Sequence, residues 1–220
     1  QIIRGGPLAP RQAVTLTIQA LEGLEAIHRA AVIHRDISPE NLMISDQRVK
    51  IIDLGIAKQE HDAAITESGV FIGKFRYASP EQLGALDGAT QIDSRSDLYS
   101  IAVVLYEMLT GKAPYEGASP FDYILYHTQE MPLPSREIMR VSGSPALQSI
   151  MERALERDRH KRFASAGEFA GALRTIVDSL PDLRAIFEDL PPNPDGLTTP
   201  LPTEVPYGTQ PQPDRNTKKN

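Results

Sequence analysis

The stretch HRDISPENLMI, residues 34 to 44, holds the side chains of this sequence best suited to chemistry. Asp36 is a potential general base and Asn41 supplies an amide oxygen, the two held five residues apart around Pro39. A carboxylate can accept or orient a proton, and a neutral amide oxygen nearby can hold a substrate or a hard cation. A further carboxylate, Asp53, closes the apolar run VKIID shortly afterwards.

The elements that must position these residues are read from periodicity. Pro10 stands where a helix can begin, and Val14, Ile18, Leu21, Leu24 and Ile27 recur at helical spacing, so a helix delivers the chain to His34. NLMI and VKIID are short β-prone runs separated by Ser45, Asp46 and Gln47, which predicts a hairpin. Residues 53 to 81 show no sustained period, contain three glycines, and read as a long loop of the kind that carries function. Four helical stretches follow. DLYSIAVVLYEMLTG ends at a capping Gly111, SPFDYILYHTQ and SPALQSIMERALERD each start on a Ser-Pro pair, and SAGEFAGALRTIVDSL is stopped by Pro181.

Composition narrows the class. With 220 residues, 40% of them apolar, the chain can bury a substantial core. A net charge of -6 offers no basic patch for a nucleic-acid backbone. The absence of cysteine excludes disulfides, thiolate zinc sites and cysteine nucleophiles, and suits a reducing, cytoplasmic compartment. The longest apolar run, IAVVLY from Ile101, is too short to span a bilayer and leads into Glu107. The opening QIIRGGPLAP has neither methionine nor a signal-peptide pattern, and the expectation is a start inside a longer protein. At the other end, 9 of the 18 prolines fall in residues 181 to 220, which predicts a disordered tail or linker there.

HRDISPEN, then DLG at Asp53, then SPE at Ser79, in this order and spacing, resemble the catalytic loop, magnesium motif and activation-segment end of a protein kinase. SDLYSIAVVLYEMLTGKAPYEG and RDRHKRF resemble the family's central helix and late arginine motif. The resemblance runs from about Gly5 to about Leu180 and looks closest to bacterial serine/threonine kinases of the eukaryotic-like type. It implies a mainly α (α+β) protein-kinase-like fold, specifically the large C-terminal lobe. In that lobe, a helical bundle and short β-hairpins carry the catalytic and magnesium loops. Residues 1–180 would be this partial catalytic domain, with 181–220 as the proline-rich tail.

The same resemblance implies ATP with magnesium, or manganese in its place, and protein substrates phosphorylated on serine or threonine. Asp36 would orient the acceptor hydroxyl, and Asn41 and Asp53 would offer magnesium one neutral and one anionic oxygen. Met43 would lie under the adenine, His34 and Leu54 would join the internal apolar spine, and Asp97 would anchor the catalytic loop. Glu81 would pair with Arg162, and Arg35 would grip an activation loop phosphorylated at Thr66 or Ser68. Both hydroxyls also read as plain solvated loop residues.

The sequence departs from the family pattern at two positions. Most serine/threonine kinases have lysine two residues after the catalytic aspartate and threonine after the glycine of a later Gly-Thr motif. Here these are Ser38 and Lys74. The two side chains meet beside the catalytic aspartate in the family, so a cation and a hydroxyl look exchanged between facing positions. The other reading is a turn serine and a solvated lysine. No glycine-rich loop or VAIK-like strand occurs in the sequence, so the small lobe is expected elsewhere and these residues alone are expected to be inactive. A pseudokinase scaffold is the alternative. A small-molecule phosphotransferase is disfavoured by the SPE segment and the late arginine. His28, His61, His127 and His160 lack ligand spacing and read as helix or surface histidines.

Overall fold

A computed structural model describes residues 6–46, 48–53, 75–85, 92–129 and 133–182. Helix α1 spans Pro10–Arg29. No side chain caps its start, where Pro10 supplies a preset φ, and it buries Ala13, Val14, Thr17, Ala20, Leu21 and Leu24 on one face. Ile18 and Ile27 sit half-buried at the margin of that face.

The hairpin follows. Strand β1, Leu42–Ser45, pairs antiparallel with β2, Arg48–Ile51, with Leu42 opposite Ile51 and Ser45 opposite Arg48. Ser45 pairs with Arg48 and so belongs to the strand, not to the separating segment in which the sequence placed it. Asp46 adopts φ 53, the left-handed conformation that two-residue hairpin turns favour. Asn41 and Asp53, at the outer ends of the two runs, fall outside the strands. β2 lies against α1, where Gln19 Oε1 accepts from the Val49 N–H at 2.9 Å. A Cβ on Gly23 would come within 3.2 Å of Ile51 Cδ1, so glycine permits that approach.

Helix α2, Ser94–Thr110, is the centre of the fold: every residue from Ser96 to Leu109 is buried. A helix buried all round must satisfy its own polar groups, and its polar residues Ser96, Asp97 and Glu107 reach outward to loops. Asp93 caps its start by accepting from Arg95 N–H, and Gly111 at φ 79 ends it.

Four short helices complete the described residues: α3 Pro120–Thr128, α4 Ser135–Ser142, α5 Pro145–Ala154 and α6 Ala166–Arg174. Ser119, Ser144 and Ser165 cap α3, α5 and α6 through their side chains, Ser119 in a reciprocal box with Asp122. α1 packs on α2, β2 and α6, while α4 and α5 pack on each other and on α2.

Three helix expectations change. α4 was absent from the sequence reading: it has eight residues, no side-chain cap, and fully buries only Ile138 and Ser142. α5 stops at Ala154 because the carbonyls of Glu156 and Arg157 are turned to the Arg162 guanidinium. α6 stops at Arg174, where the β-branched run Thr175, Ile176, Val177 disfavours helix, and a 3₁₀ turn at Val177–Ser179 leads on to Leu180. Arg11 ties the start of α1 to this end, with Nε donating to Leu180 O at 3.2 Å and Nη2 to Asp178 O at 2.6 Å. Among the described residues no helix is long and apolar enough to cross a membrane. Most of the long loop, residues 54–74, and the tail from residue 183 lie outside the described residues.

Candidate active site

The loop between α1 and β1 is held residue by residue. Asp97, only 1% exposed in the first turn of α2, receives three bonds. Its Oδ2 accepts from the His34 N–H at 2.9 Å and lies 2.8 Å from His28 Nε2, and its Oδ1 accepts from the Arg35 N–H at 2.8 Å. His34 is fully buried. Its Nδ1 accepts from the Asp36 N–H at 3.3 Å, which leaves the proton on Nε2 to be donated to Ile52 O at 3.2 Å. Arg35 at φ 63 and Asp53 at φ 57 both take the left-handed conformation, a strain of about 1–2 kcal/mol each that only a well-bonded surrounding maintains.

Asn41 joins the two halves of the site. Its Nδ2 donates to Asp36 O at 2.6 Å and to Asp36 Oδ2 at 3.3 Å, and its backbone carbonyl accepts from the Ile52 N–H at 3.0 Å. Ile52 is therefore bonded on both sides, and Asp53 follows it directly. With its amide nitrogen spent on Asp36, Asn41 has its side-chain oxygen as the atom left for a cation. Asp53 is exposed. One neutral and one anionic hard oxygen fit magnesium, which takes one or two protein oxygens and fills its sphere with phosphates and water. Among the described residues there is no cluster of three or more His, Cys, Asp or Glu that would hold a metal without such help.

Ser38 precedes the 3₁₀ turn Pro39–Asn41, where a serine ordinarily caps, yet its side chain caps nothing. It is 4% exposed, and among the described residues its hydroxyl has no hydrogen-bond partner. An unsatisfied buried hydroxyl costs roughly 1–3 kcal/mol. Met43, on β1 opposite Lys50, is half exposed.

Residues 75–85 are pinned to α2 at both ends. At one end, Tyr77 donates its hydroxyl to Glu107 Oε2 at 2.6 Å. Burial, reinforced by that bond and charge, pushes the Tyr77 hydroxyl far above its usual range. At the other, Glu81 accepts from Ser96 Oγ at 2.7 Å and pairs with Arg162 through two bonds of 2.8 Å. Burial would raise the Glu81 carboxyl, but the bonds and charge of Arg162, with Ser96, hold it below its ordinary value. Arg162 also lies 4.8 Å over the ring of Tyr99, which meets buried His127 edge-on. Burial, with the charges of Arg157 and Arg162, lowers His127 to about 4.

Of the residues singled out from sequence, the structure brings together His34, Arg35, Asp36, Ser38, Asn41, Asp53 and Asp97. It places Glu81 against Arg162, next in sequence to the Gln82 that bonds the Arg35 carbonyl. Leu54, Thr66, Ser68 and Lys74 lie outside the described residues. Two contributors carried no sequence signal. His28, read as a generic helix histidine, bonds Asp97, and Gln82 bonds the Arg35 carbonyl.

Comparison with known proteins follows the same residues. The protein kinase domain model matches residues 1–171. The serine/threonine-protein kinase pkn2 of Myxococcus xanthus is 40% identical over 188 residues, covering 81% of this chain and 22% of that protein. PknB of Mycolicibacterium smegmatis is 38% identical, covering 84% of this chain and 29% of that protein, and the probable PknB of Bifidobacterium longum is 39% identical, covering 84% and 26%. The chain thus spans less than a third of the length of these curated relatives.

Proposed function

The chain belongs to the protein kinase domain family, and from that premise we propose that it phosphorylates serine and threonine hydroxyls of protein substrates with ATP. Residues 1–180 act as the large lobe of the catalytic domain, and 181–220 as a linker. The observation that carries this reading is the bond set joining Asp36, Asn41 and the peptide before Asp53. It gathers a base and two hard oxygens into one rigid unit, which is what phosphoryl transfer asks of a protein.

Asp36 receives the proton of the acceptor hydroxyl as its oxygen bonds to the γ-phosphorus, and ADP departs with the bridging oxygen. Asn41 and Asp53 hold magnesium, which neutralises charge on the phosphates. Met43, exposed on β1, meets the adenine. His34 and Leu54 belong to the apolar spine, and Arg35 receives the phosphate of Thr66 or Ser68. A glycine-rich loop and a strand lysine come from residues other than these 220, in keeping with relatives several times longer. Lys74 supplies the cation absent at position 38, and the unspent Ser38 hydroxyl supports that exchange. The site operates in the cytoplasm.

A second reading, a scaffold that binds without transferring phosphate, is favoured by the serine at position 38. Magnesium-dependent ATP binding by the complete protein, and mass spectrometry of a mixed peptide library exposed to it, separate the two. Phosphate on serine and threonine supports the kinase. ATP binding without transfer supports the scaffold, and phosphate confined to tyrosine or to small molecules rejects the proposed substrate class.

A further inference from the structure

Three consecutive peptide units lead into Asp36, and each is held by a side chain. The N–H groups of His34 and Arg35 go to Asp97 on α2. The peptide between Arg35 and Asp36 is held at both ends: its N–H donates to His34 Nδ1, and its carbonyl accepts from Gln82 Nε2 at 2.9 Å. Among these holding groups only Gln82 comes from the segment that follows the long loop. Its other end is equally engaged, since Gln82 Oε1 accepts from both the N–H and the hydroxyl of fully buried Ser79, at 3.0 and 3.1 Å. The amide orientation is unambiguous: a backbone N–H must meet the oxygen and a backbone carbonyl must meet the nitrogen. The neighbouring Glu81 is locked to Arg162 and Ser96, so the position of Gln82 is set by the buried core and not by the loop it touches.

We propose that Gln82 is a positioning residue that transmits the placement of the Ser79–Gln82 turn to Asp36, by fixing the peptide plane on which Asp36 hangs. Arg35 stands at φ 63, a conformation a non-glycine residue leaves readily when released. Without the Gln82 bond that peptide plane keeps only its His34 anchor at 3.3 Å, and its rocking moves Asp36 against the Asn41 amide that holds it. A displacement of the order of 1 Å at a reacting group costs about 10²-fold in rate. This rests on the proposed phosphate transfer for its consequence, but not for its geometry.

Gln82→Ala removes both contacts. Gln82→Glu keeps the acceptor for Ser79 but has no donor for the Arg35 carbonyl, so it isolates the coupling bond. Amide hydrogen exchange, kcat and ATP KM are all followed in the complete protein. Both variants are expected to exchange at least about 10-fold faster at Arg35 and Asp36, with the unfolding midpoint and the ATP KM unchanged and kcat reduced about 10- to 100-fold. Parental exchange at these amides in Gln82→Glu, or acceleration spread evenly over the chain, overturns the proposal. If the parent transfers no phosphate at all, the kinase reading fails and the exchange rates alone decide the role of Gln82.

Discussion

At the scale of single residues, the Arg162 guanidinium shows what a buried charge requires. All five of its N–H groups are used: Nε on Glu156 O, Nη1 on Glu81 and Arg95 O, Nη2 on Glu81 and Arg157 O. Removing Glu81 would leave that cation in the core, so Glu81→Ala should destabilise the fold by about 3–5 kcal/mol in urea titration. Arg162→Lys should cost nearly as much, because a single ammonium cannot reproduce the fork. The sign with pH follows from the lowered carboxyl. The pair's contribution is complete above the ordinary Glu value of 4.5 and is lost as pH falls through the lower folded value, and Glu81→Gln should remove that acid limb. The proposed exchange between Ser38 and Lys74 belongs to the same scale. Ser38→Lys and Lys74→Thr should each reduce phosphate transfer while the double variant recovers much of it, and simply additive losses would refute the compensation. Sequence spacing alone brought out Asp36 and Asn41 because both sit in one short turn. Glu81 and Arg162 are 81 residues apart, with no local signal to join them, and were paired only through the family resemblance. Gln82 carried no pattern at all, since a glutamine bonding a distant carbonyl looks like any surface amide.

At the scale of elements, the caps written into the sequence do most of the punctuation. The Ser-Pro pairs and Gly111 mark helix ends in the positions expected, because capping is local chemistry between neighbours. α4 escaped notice because no side chain caps its start and it is held by packing on α2 and α5. Ser119→Ala should cost about 1 kcal/mol, read as a shift in the denaturation midpoint, because it breaks the reciprocal box that starts α3. α3 also carries a pH-sensitive group. Burial and the charges of Arg157 and Arg162 hold His127 neutral down to about 4, against an ordinary value of 6.5. The unfolded chain therefore binds a proton that the folded one refuses, and stability present above pH 6.5 should decline as pH falls towards 4, by up to ~3 kcal/mol. His127→Phe should flatten that decline while keeping the edge-on contacts to Tyr99 and Tyr115. An unchanged slope would place the titrating group elsewhere.

At the scale of the whole molecule, the fold is arranged around a buried helix that reaches its surroundings through polar side chains. From α2, Asp97 holds the loop before Asp36, Ser96 holds Glu81, and Glu107 holds Tyr77. One rigid element thus fixes both sides of the site. That arrangement was only half legible beforehand: an apolar run long enough for a core helix was plain, but the loops its polar residues serve depend on tertiary packing. The measurement that tests the central claim most directly is single-turnover phosphate transfer from ATP to serine and threonine peptides by the complete protein, comparing the parent with Asp36→Asn. The account predicts a rate about 10²-fold lower or more for the variant, with ATP affinity and unfolding midpoint retained. Transfer by Asp36→Asn at the parental rate would contradict it.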